Sequence, residues 1–198
     1  MPDKHSAILL FGAPGAGKGT QGKMLASVPG LFHLSTGDMF RGLDKSTELG
    51  QEILGYMSAG ELVPDELTVK LYDAHVRSQA EAGEYDPTSD TLVLDGIPRS
   101  VRQAELLDDR IDPLCVVHLM AKDETKLIER LRGRALKENR PDDAKEEVVR
   151  RRLEIYEADT RPVLDHYPKT LINDVDAIGL PARVLARVLD VVVPKLEA

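Results

Sequence analysis

The chain has 198 residues, 42% of them apolar and 30% charged, and a formal net charge of −8 at pH 7. That length supports one hydrophobic core with small inserted segments, and the acidic balance argues against a general binder of nucleic acid or of an anionic membrane surface. A single cysteine, Cys115, excludes an internal disulfide and a Cys/His zinc cluster. No apolar run approaches a membrane span or a secretory signal core, so a cytoplasmic chain is expected.

The first predicted element is the apolar strand Ala7–Phe11, and directly behind it stands Gly12-Ala-Pro-Gly-Ala-Gly-Lys-Gly-Thr20. A strand, a glycine-rich turn and a helix start in that order are the context of a phosphate-binding P-loop. Gly12, Gly15 and Gly17 free the backbone so that several N–H groups can point at one anion, and the helix from Lys18 adds its positive end. Lys18 is placed to reach the outer phosphates. The position after it is Gly19, with the hydroxyl one later at Thr20, so Mg²⁺ is not expected to be held through the usual P-loop side chain.

The helix Lys18–Ala26 leads to a second strand, Phe32–Leu34, and then to Ser35-Thr-Gly-Asp-Met-Phe-Arg41. Ser35 or Thr36 can cap a helix with Asp38 in its first turn, and Arg41 follows one turn later. Helices Thr47–Tyr56 and Asp65–Ala82 form an insertion before the third strand, Thr91–Leu94. That strand runs into Asp95-Gly-Ile-Pro-Arg99. An aspartate at a strand end beside a P-loop is the usual partner of nucleotide-bound Mg²⁺. Without a hydroxyl next to Lys18, Asp95 is expected to order metal-bound waters; the plainer alternative is a helix cap. Pro98 shapes the loop so that Arg99 can grip a phosphate with two parallel hydrogen bonds.

Helix Ser100–Leu107, strand Leu114–Met120, helices Asp123–Arg132 and Lys145–His166, strand Thr170–Ile172 and helix Pro181–Val193 complete the pattern. Strands alternating with helices give a five-stranded parallel sheet covered on both faces, with ligands at the carboxyl ends of the strands. The polar stretch Ala135–Lys145, centred on Asn139-Arg-Pro-Asp-Asp143, is a candidate lid. Seven arginines lie between Arg130 and Arg152. On an acidic chain they point to a small polyanionic ligand, while a solvated helix face accounts equally well for about half of them. The histidines carry no motif.

P-loop, Ser35–Arg41, Gly60-Glu-Leu-Val-Pro-Asp-Glu-Leu67, Asp95–Arg99 and the arginine-rich segment stand in the order of one family. From Ile8 to about Tyr167 the chain resembles the adenylate kinases. The resemblance implies an α/β, three-layer P-loop NTPase fold with a helical NMP-binding insertion at residues 36–65 and a short lid at 133–143, all in one domain. It implies reversible Mg²⁺-dependent phosphoryl transfer from ATP to AMP giving two ADP, in a monomer with no nucleic-acid or membrane partner.

By matching positions, Gly15, Ala16, Gly17, Lys18, Gly19 and Thr20 would cradle the donor phosphates. Arg130 would stack on the ATP base and Arg134 reach its phosphates. Thr36, Arg41, Val63, Gly96, Arg99 and Gln103 would hold AMP, with Thr36 and Gln103 reading the adenine. Lys18, Arg99, Arg140 and Arg152 would act on the transferred group, and the last two would also contact AMP. Three positions depart from the family pattern. Ile97 replaces the usual Phe and is expected to remove an aromatic wall near AMP. An extra residue between Asp143 and Arg152 makes Arg151 an alternative to Arg152. Asn173–Ile178 fits the loop near the ATP base poorly, and no residue there is assigned. A UMP/CMP kinase of the same fold is the nearest rival, followed by a regulatory protein without catalysis and a nucleic-acid-dependent ATPase.

Overall fold

The computed structural model describes residues 4–121, 124–137 and 143–197. Five parallel strands, β1 His5–Phe11, β2 Leu31–Ser35, β3 Thr91–Asp95, β4 Ile111–Met120 and β5 Ile172–Asp176, form one sheet in the order β2-β3-β1-β4-β5. Eight α-helices among the described residues connect and cover them: α1 Lys18–Leu25, α2 Thr36–Arg41, α3 Glu48–Ala59, α4 Asp65–Glu81, α5 Val101–Leu107, α6 Glu124–Lys137, α7 Glu146–Ile155 and α8 Pro181–Leu196. The expected α/β fold with a five-stranded parallel sheet is present.

The period-two geometry of the strands divides the core into two layers. Ala7, Leu9 and Phe11 of β1 join Leu92 and Leu94 of β3 on one face, where Val69, Tyr72 and Val76 of α4 cover them. Ile8 and Leu10 turn to the other face with Val93, Cys115 and Val117, under Val184, Val188 and Val192 of α8. Both faces are buried, so the central strands read as continuous apolar runs. Cys115 is a buried free thiol in this second layer.

Several element boundaries differ from the sequence reading for physical reasons. β4 begins at Ile111 and carries Pro113 inside it; the β1 pairing steps from Pro113 to Cys115, a bulge that accommodates the missing N–H. β5 lies at Ile172–Asp176, where a run including Asn173, Asp174 and Asp176 pairs with Val116–Met120. As an edge strand it buries only Val175 fully, so its apolar signal is weak. α6 runs on to Lys137, and Gly133 lies inside it. The long helix expected over Lys145–His166 is α7 followed by a π-helical turn, Tyr156–Thr160, and a 3-10 segment, Arg161–His166.

Caps start the helices around the strand ends. Ser35 Oγ accepts from Asp38 N at 3.3 Å, Thr47 Oγ from Gly50 N at 3.1 Å, and Ser100 Oγ from Gln103 N at 3.0 Å. Each satisfies a backbone donor that the first helical turn leaves without a partner.

Candidate active site

At the carboxyl ends of β1, β2 and β3 lies a cavity between the glycine loop, the α2–α3 insertion and α7. Gly15, Gly17, Lys18, Gly19, Arg41, Val63, Asp95, Gly96, Arg99, Gln103, Arg134 and Arg152 line it. Sequence-distant parts of the chain therefore bring one lysine and four arginines to one space.

The loop from Gly12 to Gly17 is shaped by close backbone approach. A Cβ at Gly12 would meet Leu119 O at 2.6 Å, and one at Gly15, where φ is +84°, would meet Leu127 O at 2.7 Å. Lys18 Nζ donates to Gly12 O at 2.6 Å and Ala13 O at 3.2 Å. Burial, reinforced by Arg99, Arg152 and Arg134 and opposed by Asp95, pushes the Lys18 pKa down to about 8. The Arg99 guanidinium is pushed down to about 10, by burial first and then by Arg152, Arg41 and Arg134, with Asp95 opposing. Both shifts express cations crowded together in a partly desolvated place.

Asp95 ends β3 and faces the cavity. Burial pushes its carboxyl up, but His33, Lys18 and Arg99 outweigh that and hold it below the usual carboxylate range. A Cβ at Gly19 would stand 3.3 Å from Asp95 Oδ2. The carboxylate thus stands close to the place where a common P-loop carries its hydroxyl side chain. No group of three or more metal-ligating side chains exists among the described residues. One ionised carboxylate facing this cluster of cations would suit Mg²⁺, which keeps several waters and binds through few protein groups plus ligand phosphates.

Arg99 is set by the loop that precedes it. Its Nε donates to Gly96 O at 2.8 Å, and Thr160 Oγ1 donates to Arg99 O at 2.8 Å. Gly96 has φ +82°, and a Cβ there would come within 2.7 Å of both Arg99 Nη2 and Thr36 Oγ1. Arg41 pairs with Asp38 at 2.7 Å. On the other side, Asp143 is fully buried between two guanidiniums: Arg134 Nε donates to its Oδ2 at 2.8 Å and Arg152 Nη1 to its Oδ1. The turn after α7 adds Tyr156 and Thr160 to the lining. Tyr156 Oη stands 3.2 Å from His118 Nε2, and His118 Nδ1 stands 2.8 Å from Asp174 Oδ1.

Other sequence-predicted residues fall less centrally. Ala16 is buried in the second core layer, and Thr20 is exposed. Arg130 Nη2 donates to Ala177 O at 3.2 Å and Nη1 approaches Gly15 O at 3.5 Å, so the arginine spans the glycine loop and the turn after β5. Thr36 is 1% exposed, and its hydroxyl donates to Gly96 O at 2.8 Å. It does not line the cavity, and what it can offer a base is a lone pair. Ile97 packs in the first core layer and not against the cavity, so its exchange for Phe removes no wall of this site. Arg151 is exposed, with Glu154 at 3.8 Å; Arg152 is the one that reaches the cavity. Arg140, with residues 138–142 of the candidate lid, lies outside the described residues.

Four functional candidates escaped the sequence reading: Asp143, Asp65, His33 and Thr160. Asp143 stands in an ordinary polar run, and Asp65 reads as a helix-start acid. His33 sits 3.8 Å from Asp95 and packs against Gly22, where a Cβ would meet its ring at 2.2 Å. Its strand position gave no sign of that neighbour.

A family model for adenylate kinase matches residues 10–172. The adenylate kinase of Mycobacterium sp. (strain MCS) is 42% identical over 187 residues, covering 92% of this chain and 96% of the relative. That of Thermobifida fusca is 41% identical over 179 residues, 87% of this chain and 90% of the relative. That of Streptomyces coelicolor is 36% identical over 217 residues, 92% of this chain and 96% of the relative.

Proposed function

The chain belongs to the adenylate kinase family, and from that premise we propose that it transfers the terminal phosphoryl group of ATP reversibly to AMP, giving two ADP. The observation that carries the reading is the single cavity in which Lys18, Arg41, Arg99, Arg134 and Arg152 converge. Five cations are more than one monophosphate needs. They match a donor triphosphate and an acceptor phosphate laid end to end.

Phosphoryl transfer asks the protein mainly for alignment and charge neutralisation. The backbone of Gly15–Thr20 and Lys18 cradle the donor phosphates, with Arg134 on the same chain. Arg41 and Arg99 hold the AMP phosphate. Arg152 and Arg140 complete the charge around the transferred group. The acceptor is a phosphate oxygen already ionised at neutral pH, so no strong general base is required. Asp95 would hold waters of a nucleotide-bound Mg²⁺, which supplies charge neutralisation on the donor oxygens. Gln103 and Val63 would receive the adenine, and Arg130 would stack on the donor base.

The parts expected to move in this proposal are the segment 36–65 and the segment that carries Arg134. Their arginines repel one another in an empty closed site, so a bisubstrate mimic of two adenosines joined by five phosphates should draw both segments inward. No helix among the described residues is long and apolar enough to cross a membrane. We place the protein in the cytoplasm as a monomer serving adenine-nucleotide balance. The test of function is steady-state turnover with ATP and each of AMP, CMP, UMP and GMP. AMP should be preferred strongly over the others; a greater kcat/KM for CMP or UMP would overturn the assignment and favour a pyrimidine monophosphate kinase.

A further inference from the structure

We infer that Asp65 determines the choice of acceptor base: with the Arg99 backbone N–H it fixes which way round the Gln103 amide faces, and so selects adenine over guanine. The inference rests on reading the cavity as the AMP site.

Gln103 lines the cavity and is 2% exposed. Its Oε1 accepts from Arg99 N at 2.7 Å, and its Nε2 donates to Asp65 Oδ1 at 2.9 Å. A backbone N–H can only donate, and a carboxylate can only accept. Turning the amide round would set N–H against N–H and oxygen against oxygen, both in a buried place. Glutamine amides are usually ambiguous in orientation; this one is not. Asp65 is itself held, because Ser100 Oγ donates to the same Oδ1 at 2.8 Å while accepting from Gln103 N at 3.0 Å. The start of α4 is thereby tied to the start of α5.

The fixed amide has one Nε2 hydrogen and one Oε1 lone pair left for a ligand. Adenine offers its N6 amino group beside a ring acceptor, N1 on one edge and N7 on the other, and matches that pair. Guanine puts an acceptor, O6, where adenine has its donor, so either edge sets O6 against Oε1. A pyrimidine cannot bring both groups to the same depth as the larger ring. Gln103 alone could serve either purine by turning its amide; the Asp65 carboxylate and the Arg99 N–H together remove that freedom.

The test is Asp65→Asn, whose amide can donate as well as accept, so that turning Gln103 costs one mismatch, at the Arg99 N–H, in place of two. Asp65→Ser, with a hydroxyl that can do both, serves if the first variant does not fold. Thermal melting and the KM for ATP accompany kcat/KM for AMP and GMP. The ratio of AMP to GMP kcat/KM should fall about 10-fold or more, the order set by one mismatched buried hydrogen bond, with the KM for ATP held. A role confined to tying α4 to α5 would lower both monophosphates by the same factor; that result, in a parent protein that does prefer AMP, overturns the inference alone. A parent protein that does not use AMP overturns the functional reading and this inference with it.

Discussion

Asp143→Asn is the substitution in which stability and chemistry separate most cleanly. Asp143 is fully buried and accepts hydrogen bonds from both Arg134 and Arg152. Asparagine keeps the shape but loses the charge, and its amide N–H₂ must face one guanidinium, donor against donor. Removing one member of a buried ion set costs about 3–5 kcal/mol when the remaining charge stays dry. Here the two arginine side chains are 27% and 19% exposed, so water recovers part of the loss and about 2–3 kcal/mol is expected. For a chain of this size that lowers Tm by about 4–12 °C. The arginines also lose their anchor, so kcat should fall about 10-fold or more, because misplacement by an ångström is expensive in rate. Calorimetry gives the first quantity and coupled turnover well below Tm gives the second. A Tm within about 1 °C of the parent, together with kcat within about 2-fold, would refute the claim that this carboxylate holds the pair.

Lys18→Ala should lose at least ~10²-fold in kcat with little change in Tm, since the side chain fills no core space; near-parental turnover would remove the P-loop from the mechanism. In the ligand-free protein the Lys18 pKa is pushed down to about 8, so kcat/KM for ATP should decline as pH rises through that value and the ammonium is lost. Bound polyphosphate favours the charged form, so the corresponding limb in kcat should lie higher; a flat kcat/KM profile to about pH 10 would contradict the shift. Arg99→Lys should impair use of AMP far more than of ATP, because an ammonium cannot reproduce a planar two-point grip; kinetics altered for ATP alone would reassign Arg99 to the donor.

The sheet was legible in the sequence where both faces of a strand are buried. Ala7–Phe11 and Thr91–Leu94 are apolar throughout, and that pattern has few other readings. β5 was misplaced because edge strands need only one good contact; Val175 supplies it while its neighbours are polar. The turn at Tyr156–Thr160 was invisible because local propensity continues the helix, whereas packing of Tyr156 near His118 and Thr160 on Arg99 accompanies the wider turn. The arginines that line the cavity carry motif context and were legible. Asp143, which accepts from Arg134 and Arg152, and Asp65, which accepts from Gln103, carry none, because their meaning depends on partners 9 and 38 residues away.

In the proposed function the two ends of the cavity do different work, and that division can be measured. At the phosphate end the interactions are between net charges, strong and indifferent to the base. Arg99 would fit an acceptor phosphate whether adenine or guanine hangs from it. At the base end no net charge faces the ring from Gln103; its amide discriminates by the order of one donor and one acceptor. Arg99 takes part in both through different atoms, its guanidinium at the phosphate end and its backbone N–H on Gln103 Oε1. Arg99→Lys keeps that backbone donor, so it should lower kcat/KM for AMP and GMP by a common factor and leave their ratio alone. Asp65→Asn should move the ratio. A change of the AMP to GMP ratio in Arg99→Lys as large as in Asp65→Asn would mean that phosphate and base are not recognised independently, and that the amide orientation depends on where the guanidinium lies.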